Sequence, residues 1–350
     1  MLIREFRGEN FINREKEIEF LLNYFKKNPN RVLWIYGPKS TGKTTFIEYI
    51  VENHLLKNKD HNVKYINFRG KMIANYDNFV DAFIKPKDSP FFKNLSVSVN
   101  FHFLKVDSKL YEGIKKREFD FFEAVQEELF NSKKKNILII DEIQTLQDIY
   151  MNGNKMILNE FLNFCVRLTK ETHLSHVLIS TSNTIFLNEI YNNAKMKVTS
   201  DFKLIDHLGY EDIKAWLINK NLGFREEDID LIYDYLGGSV AHIKKLLDFR
   251  REYNSLQEQL DEMAEIAKNE IIFEKNNNLS NKEYDLFLQL AKIIIENGKF
   301  IFNEDDEKRR KELNKIINKF CNVEILFFDP IKNIVTANSR IYVKAFERIL

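Results

Sequence analysis

Eight consecutive residues, Gly37, Pro38, Lys39, Ser40, Thr41, Gly42, Lys43 and Thr44, fit the pattern G-x-x-x-x-G-K-[ST]. The glycines allow a tight turn whose successive N–H groups converge on one point, and the start of a helix adds its positive dipole end, so the stretch suits phosphate. Lys43 would reach the β- and γ-phosphates, Thr44 would offer its hydroxyl to Mg²⁺, and Thr45 extends the same contact. The flanks carry weight too. "VLWIY" in front reads as a buried strand and "TTFIEYIVENHLL" behind has helical periodicity.

A phosphate-bound metal needs a carboxylate at the tip of a neighbouring buried strand. "NILIIDEIQTL" supplies it, four apolar residues followed by Asp141 and Glu142. Asp141 is expected to hold Mg²⁺ through its water shell, and Glu142 to polarise the attacking water as a general base. A protein that only binds does not need the second acid; such a base contributes roughly 10²–10⁴ in rate, so Glu142 points to hydrolysis. Another strand, "HVLISTSN", ends in Thr181, Ser182 and Asn183. Thr181 and Asn183 are candidates to sense the γ-phosphate, although polar residues end many strands.

Positioning these groups takes alternating elements. Apolar runs at 32–36, 63–68, 137–140 and 177–180 read as buried strands, with 202–208 as a fifth. Between them, Ile18, Leu21, Leu22 and Phe25 mark one amphipathic helix, and Phe121, Phe122, Val125 and Leu129 another. Alternating β and α elements predict a mostly parallel sheet with helices on both faces. "SVSVNFHFLK", 96–105, alternates like a half-exposed strand and is expected in a hairpin at the sheet's edge.

After Gly209 the pattern turns helical, through Ile213, Trp216 and Leu217, then Ile229, Ile232 and Leu236, then Ile243, Leu246 and Leu247, then Leu256, Leu260, Met263 and Ala267. This predicts a helical lid. Beyond Asn276–Asn278, Ser280 and Glu283 form a capping box for a new helix. The remainder reads as helix 281–296, strand 299–302, helix 307–321 and a hairpin with arms "VEILFFD" and "IVTANS". That order is similar to a winged helix with its middle helix reduced. The expected division is a core at 1–208, a lid at 209–275 and a winged-helix-like α+β domain at 276–350.

Composition bounds the partners. The chain has 350 residues, with 53 Lys plus Arg against 52 Asp plus Glu, so no global field draws it to nucleic acid or anionic lipid; such binding needs a local patch. The two cysteines, Cys165 and Cys321, each lie in an apolar helical pattern and read as buried thiols in a reducing cytosol. "MLIREFRGEN" carries charge where a signal peptide is apolar, and no run is long enough to span a bilayer, which predicts a cytoplasmic protein without membrane contact. His173 and His176 have ligand-like spacing but no acid or cysteine cluster to complete a zinc site.

The motifs in this order resemble the archaeal ATPase family, a branch of the signal-transducing (STAND) P-loop ATPases related to the AAA+ and origin-recognition ATPases. "FINREKEIEFL" is similar to that group's Phe-x-x-Arg-Glu-x-Glu opening motif, "DEIQ" to its strand end and "YLGGSVAHIKKL" to its Gly-Gly lid motif. The resemblance implies an α/β P-loop NTPase core of the ASCE class, ATP as the nucleotide, Phe11, Ile12 and Arg14 against the adenine, and Gly237 and Gly238 placing a lid helix over it. From the residues alone, Phe11 and Ile12 read as well as a hydrophobic staple and Arg14 as a surface charge. Two departures stand out. Val240 occupies a place where the lid motif usually has proline, and Lys195, Lys197 and Lys203 lie where related AAA+ proteins often carry an arginine finger. A finger contributes roughly 10³–10⁵ in rate, so hydrolysis is expected to be slow unless a partner supplies one. His242 is a weaker candidate for a phosphate contact.

The expectation is an ATP- and Mg²⁺-dependent ATPase with slow turnover, switching an unknown protein partner. The alternative is a DNA-binding ATPase resembling origin-recognition factors, its basic helix (Lys308, Arg309, Arg310, Lys311, Lys315, Lys319) meeting duplex DNA.

Overall fold

Five strands form the central sheet: β1 (Val32–Tyr36), β2 (His61–Asn67), β3 (Lys135–Asp141), β4 (Ser175–Ser180) and β5 (Ser200–Leu204). The computed structural model describes residues 3–69, 71–86, 104–147, 149–151, 155–302 and 307–350. Every pairing in this sheet is parallel and the spatial order is β5-β1-β4-β3-β2. All five residues of β1 are buried, as a strand covered on both faces requires. Side chains alternate between the faces: Trp34 joins Phe79, Phe83, Phe121 and Phe161 on one, while Leu33 and Ile35 join Phe25, Phe46 and Ile50 on the other.

The order matters because β4 lies between the strand that feeds the phosphate loop and the strand that carries the acids. Register brings Ser180 level with both Ile35 and Asp141, so three strand ends meet at one edge. The fifth strand is shorter than the apolar run suggested. It ends at Leu204; Ile205 N still donates to Tyr36 O (2.7 Å), but β1 turns away there and 206–208 lead off towards the lid. Residues 96–103 of the expected edge strand lie outside the described residues, and Leu104–Val106 pairs in parallel with Ile84–Pro86 as a separate two-stranded sheet.

An N-terminal hairpin, Ile3–Phe6 with Glu9–Ile12, precedes the helix Glu15–Lys26 and had no signature in the sequence. Four helices follow, Tyr210–Asn219, Glu226–Leu236, Val240–Asp248 and Leu256–Asn278, the last running through the boundary expected at 275/276. Asn281–Asn297 opens with the expected reciprocal cap between Ser280 and Glu283. Strand Phe300–Ile301, helix Glu307–Asn322 and the hairpin Leu326–Asp329/Ile334–Ala337 follow.

A last helix, Arg340–Ile349, was not anticipated. Its buried face, Ile341, Tyr342, Ala345 and Phe346, completes one apolar cluster that runs from Leu208 through Leu260 and Ile271 of the lid to Phe287 and Phe320. Phe287 stacks on Phe320 (3.9 Å) and meets Phe346 edge-on (5.5 Å). Burying such rings contributes roughly 2–3 kcal/mol each, so the helix ties lid and C-terminal segment into a shared interior. Among the described residues, no helix is long and apolar enough to cross a membrane.

Candidate nucleotide-binding site

The loop after β1 adopts left-handed backbone where its sequence allows. Gly37 has φ 153°, Ser40 φ 66° and Gly42 φ 82°. Gly37 is also held by space, since a Cβ there would sit 2.1 Å from Ile205 O. Gly42 caps the helix Lys43–Ile50, whose first N–H groups are left for a ligand. Lys43 is buried and donates to Gly37 O (2.9 Å) and Pro38 O (2.7 Å). Burial lowers its pKa to about 8, against the pull of Glu142 and Asp141.

Asp141 is 1% exposed and takes a 2.9 Å hydrogen bond from Thr44 Oγ1. Burial raises its pKa, opposed by hydrogen bonds from Thr44 and Ser180. A hydroxyl and a carboxylate side by side, both hard oxygen donors, fit Mg²⁺, which takes one or two protein ligands and completes its octahedron with phosphate and water. Among the described residues no cluster of three or more His, Cys, Asp or Glu forms an alternative cage.

Glu142 stands in left-handed backbone (φ 60°), which turns its side chain out of β3 into the same cavity. That cavity, about 230 Å³, is also lined by Lys43, Thr44, Asp141, Ser182 and Arg69. Arg69 was not singled out by its sequence. It follows β2, forms an ion pair with Glu142, and Gln144 Nε2 donates to the other Glu142 oxygen. Gln144 Oε1 in turn accepts from Thr181 Oγ1 (2.9 Å).

Thus, among the described residues, Thr181 Oγ1 reaches the site through Gln144. Asn183 accepts from Phe186 N (3.0 Å) as the cap of the helix Thr184–Asn192, so its side chain is engaged in folding that helix. Ser180 and Ser182 are the residues of this strand end that line the cavity.

A family described as an ATPase domain predominantly from Archaea matches residues 11–246. The chain belongs to this archaeal ATPase family. It is 31% identical over 340 residues to an uncharacterized ATP-binding protein of Methanocaldococcus jannaschii, covering 94% of this chain and 96% of that one. Another such protein, from Pyrococcus abyssi, is 28% identical over 354 residues, covering 97% and 98%. Among solved structures, a Walker-type ATPase of Pyrococcus abyssi shares the fold at TM-score 0.63 and 12% identity, covering 96% of each chain.

In this chain the opening motif is internal. Arg14 is buried and donates to Thr41 O (2.9 Å) in the phosphate loop and to Asp206 O (2.7 Å) beyond β5, which excludes a free surface charge. Phe11 stacks on Tyr49 of the loop helix (4.0 Å, 7°), and Ile12 joins the lid's apolar cluster. The Gly-Gly motif has a steric cause: Leu208 N donates to Gly238 O (3.2 Å), and a Cβ on Gly238 would come within 1.8 Å of Leu208 O. His242 bonds Ser239 (2.8 Å), and burial lowers its pKa to about 4.

The C-terminal segment touches the loop directly. Lys39 N donates to Asn338 Oδ1 (3.2 Å), Lys39 Nζ pairs with Glu324, Tyr36 hydroxyl donates to Asp329 (3.1 Å), and His207 Nε2 meets Asn338 O at 2.8 Å. The basic helix Glu307–Asn322 carries less free charge than its sequence implies, because Lys311 pairs with Glu307 and Lys315 and Lys319 both pair with Glu283. Lys195 donates to Asn163, while Lys197 and Lys203 lie over the rings of Tyr191 and Phe20. His173 and His176 meet backbone carbonyls of Pro29 and Lys27. Cys165 and Cys321 are buried free thiols.

Proposed function

We propose that the protein binds Mg-ATP through Gly37–Thr45 and Asp141, hydrolyses it slowly, and uses the bound state as a switch on a protein partner. The observation that carries this reading is the Thr44–Asp141 bond, which brings the hydroxyl and the carboxylate of two distant motifs to one point beside Lys43. When bound, Mg²⁺ neutralises charge on the phosphates. Lys43 holds the β- and γ-oxygens, and Glu142 accepts a proton from water aligned with the γ-phosphate. Phe11, Ile12 and Arg14 shape the wall beside the base.

Slow turnover has a local source in this reading. Glu142 is restrained by Arg69 and Gln144, so its carboxylate must exchange both partners for water before it acts as a base. We divide the chain into a core (1–208), a lid (209–275) and a winged-helix-like domain (276–350), the last two moving together on their shared apolar cluster. Lys39, bonded to Asn338 and Glu324, would pass the state of the phosphates to that unit. The test is Glu142→Gln, which keeps ATP binding and loses turnover; persistence of turnover refutes the assignment.

A further inference from the structure

The opposite edge of the sheet carries a second cavity, about 350 Å³, where β3 and β4 begin. β3 starts at Lys135 and ends at Asp141, so roughly 20 Å of strand separates this cavity from the phosphate loop. Its lining includes Lys27, Lys133, Lys134, Lys135 and Phe130, and, among the described residues, no carboxylate. All four lysines are exposed, and among the described residues none is in an ion pair. Phe130, the last residue of the helix Phe121–Phe130, is 71% exposed beside them.

The cavity is built rather than incidental. Asn136 Nδ2 donates to Leu129 O (2.8 Å) and Leu174 O (3.0 Å), and His176 Nε2 meets Lys27 O at 3.0 Å. His173 Nδ1 meets Pro29 O at 2.6 Å. These bonds tie the segments after the helix Glu15–Lys26, after Phe130 and before β4 to one another, so the lysines are presented on a fixed rim.

Fixed cations around a concavity with one uncovered aromatic ring match a chain of phosphates bearing accessible bases: lysines neutralise phosphates, and a ring stacks a base whatever its identity. We propose that this cavity binds single-stranded nucleic acid, with Lys27 and Lys133–Lys135 on the phosphates and Phe130 under a base. A duplex keeps its bases stacked inside and leaves the ring unused. A flat anionic membrane meets the lysines but not the hollow.

The test uses the full chain and labelled oligo-dT, duplex of equal length, and phosphatidylserine vesicles. Oligo-dT is expected to bind, and four phosphate contacts predict a loss of about fifty-fold between roughly 50 and 200 mM salt. Reversing Lys133, Lys134 and Lys135 to Glu together should weaken binding roughly a hundred-fold or more. Phe130→Ala should weaken it about ten-fold with the salt slope unchanged. Both variants should keep the thermal shift given by ATP, because these side chains are exposed and far from the loop. If the triple variant loses that shift through misfolding, Phe130→Ala and Lys134→Gln decide alone. Absence of binding at the lower salt, equal binding of duplex, binding untouched by the substitutions, or binding of vesicles without oligo-dT each overturns the proposal.

Discussion

Thr44 and Asp141, ninety-seven positions apart, are joined by a 2.9 Å hydrogen bond from hydroxyl to carboxylate. The pair places a helix start and a strand end around one point, and it makes a metal-linked prediction. ATP at 100 times its dissociation constant should stabilise the fold by about 2.7 kcal/mol. The thermal shift should be larger with Mg²⁺ than with a chelator, and Asp141→Asn should erase that difference. An unchanged metal dependence in Asp141→Asn would mean that another residue holds the ion.

Lys43 supplies a pH signature. Its pKa is lowered to about 8 by burial, below the ordinary lysine value, so between pH 8 and its unfolded pKa the unfolded chain holds the extra proton. The contribution of this residue therefore disfavours the ligand-free fold below pH 8 and is relieved as pH rises towards 10.5. Lys43→Met should flatten that rise; urea unfolding from pH 7 to 10 measures it. Phosphates would raise the pKa again, so ATP binding near pH 8.5 should take up protons. Calorimetric enthalpies independent of buffer ionisation would contradict this.

Arg69 restrains Glu142, so releasing it should speed the chemistry. Arg69→Ala is expected to raise basal turnover several-fold, whereas Glu142→Gln should lower it by about a hundred-fold or more while leaving the ATP thermal shift intact. If Arg69→Ala instead lowers turnover, the guanidinium serves the γ-phosphate and not the restraint.

Gly238 has no room for a side chain. Gly238→Ala forces its Cβ against Leu208 O, a backbone atom, and should destabilise by about 2 kcal/mol or more. Gly209→Ala is the control: its φ is −75°, and the nearest atom to a Cβ there is 3.6 Å away. Denaturant midpoints that fall equally for both would show that Gly238 is not sterically required.

The contacts of Lys39 should differ in weight. Lys39 and Glu324 are both about half exposed, so Glu324→Ala should cost less than about 0.5 kcal/mol. Asn338 is buried and serves Lys39 N with its side chain and His207 with its carbonyl, so Asn338→Ala should cost about 1–2 kcal/mol. The reverse ranking by urea unfolding would place the junction's stability in the ion pair.

The sequence by itself determined the chemistry that local backbone controls. Gly37, Gly42, Lys43 and Thr44 are bound to one loop by spacing, Asp141 and Glu142 end an apolar strand, and Ser280 with Glu283 announces a cap, because each of these depends on neighbours within a few residues. Tertiary structure alone decided which strand ends meet. Arg69 follows a strand like many arginines, and only the placement of β2 beside β3 brings it to Glu142. Arg14 reads as a surface charge until the chain folds Thr41 and Asp206 around it. The helix Arg340–Ile349 is short and charged on one face, and its apolar face acquires meaning only from the lid helix it covers. Asn183 shows the converse: its type suited a phosphate sensor, and the start of the next helix took its carbonyl oxygen as a cap.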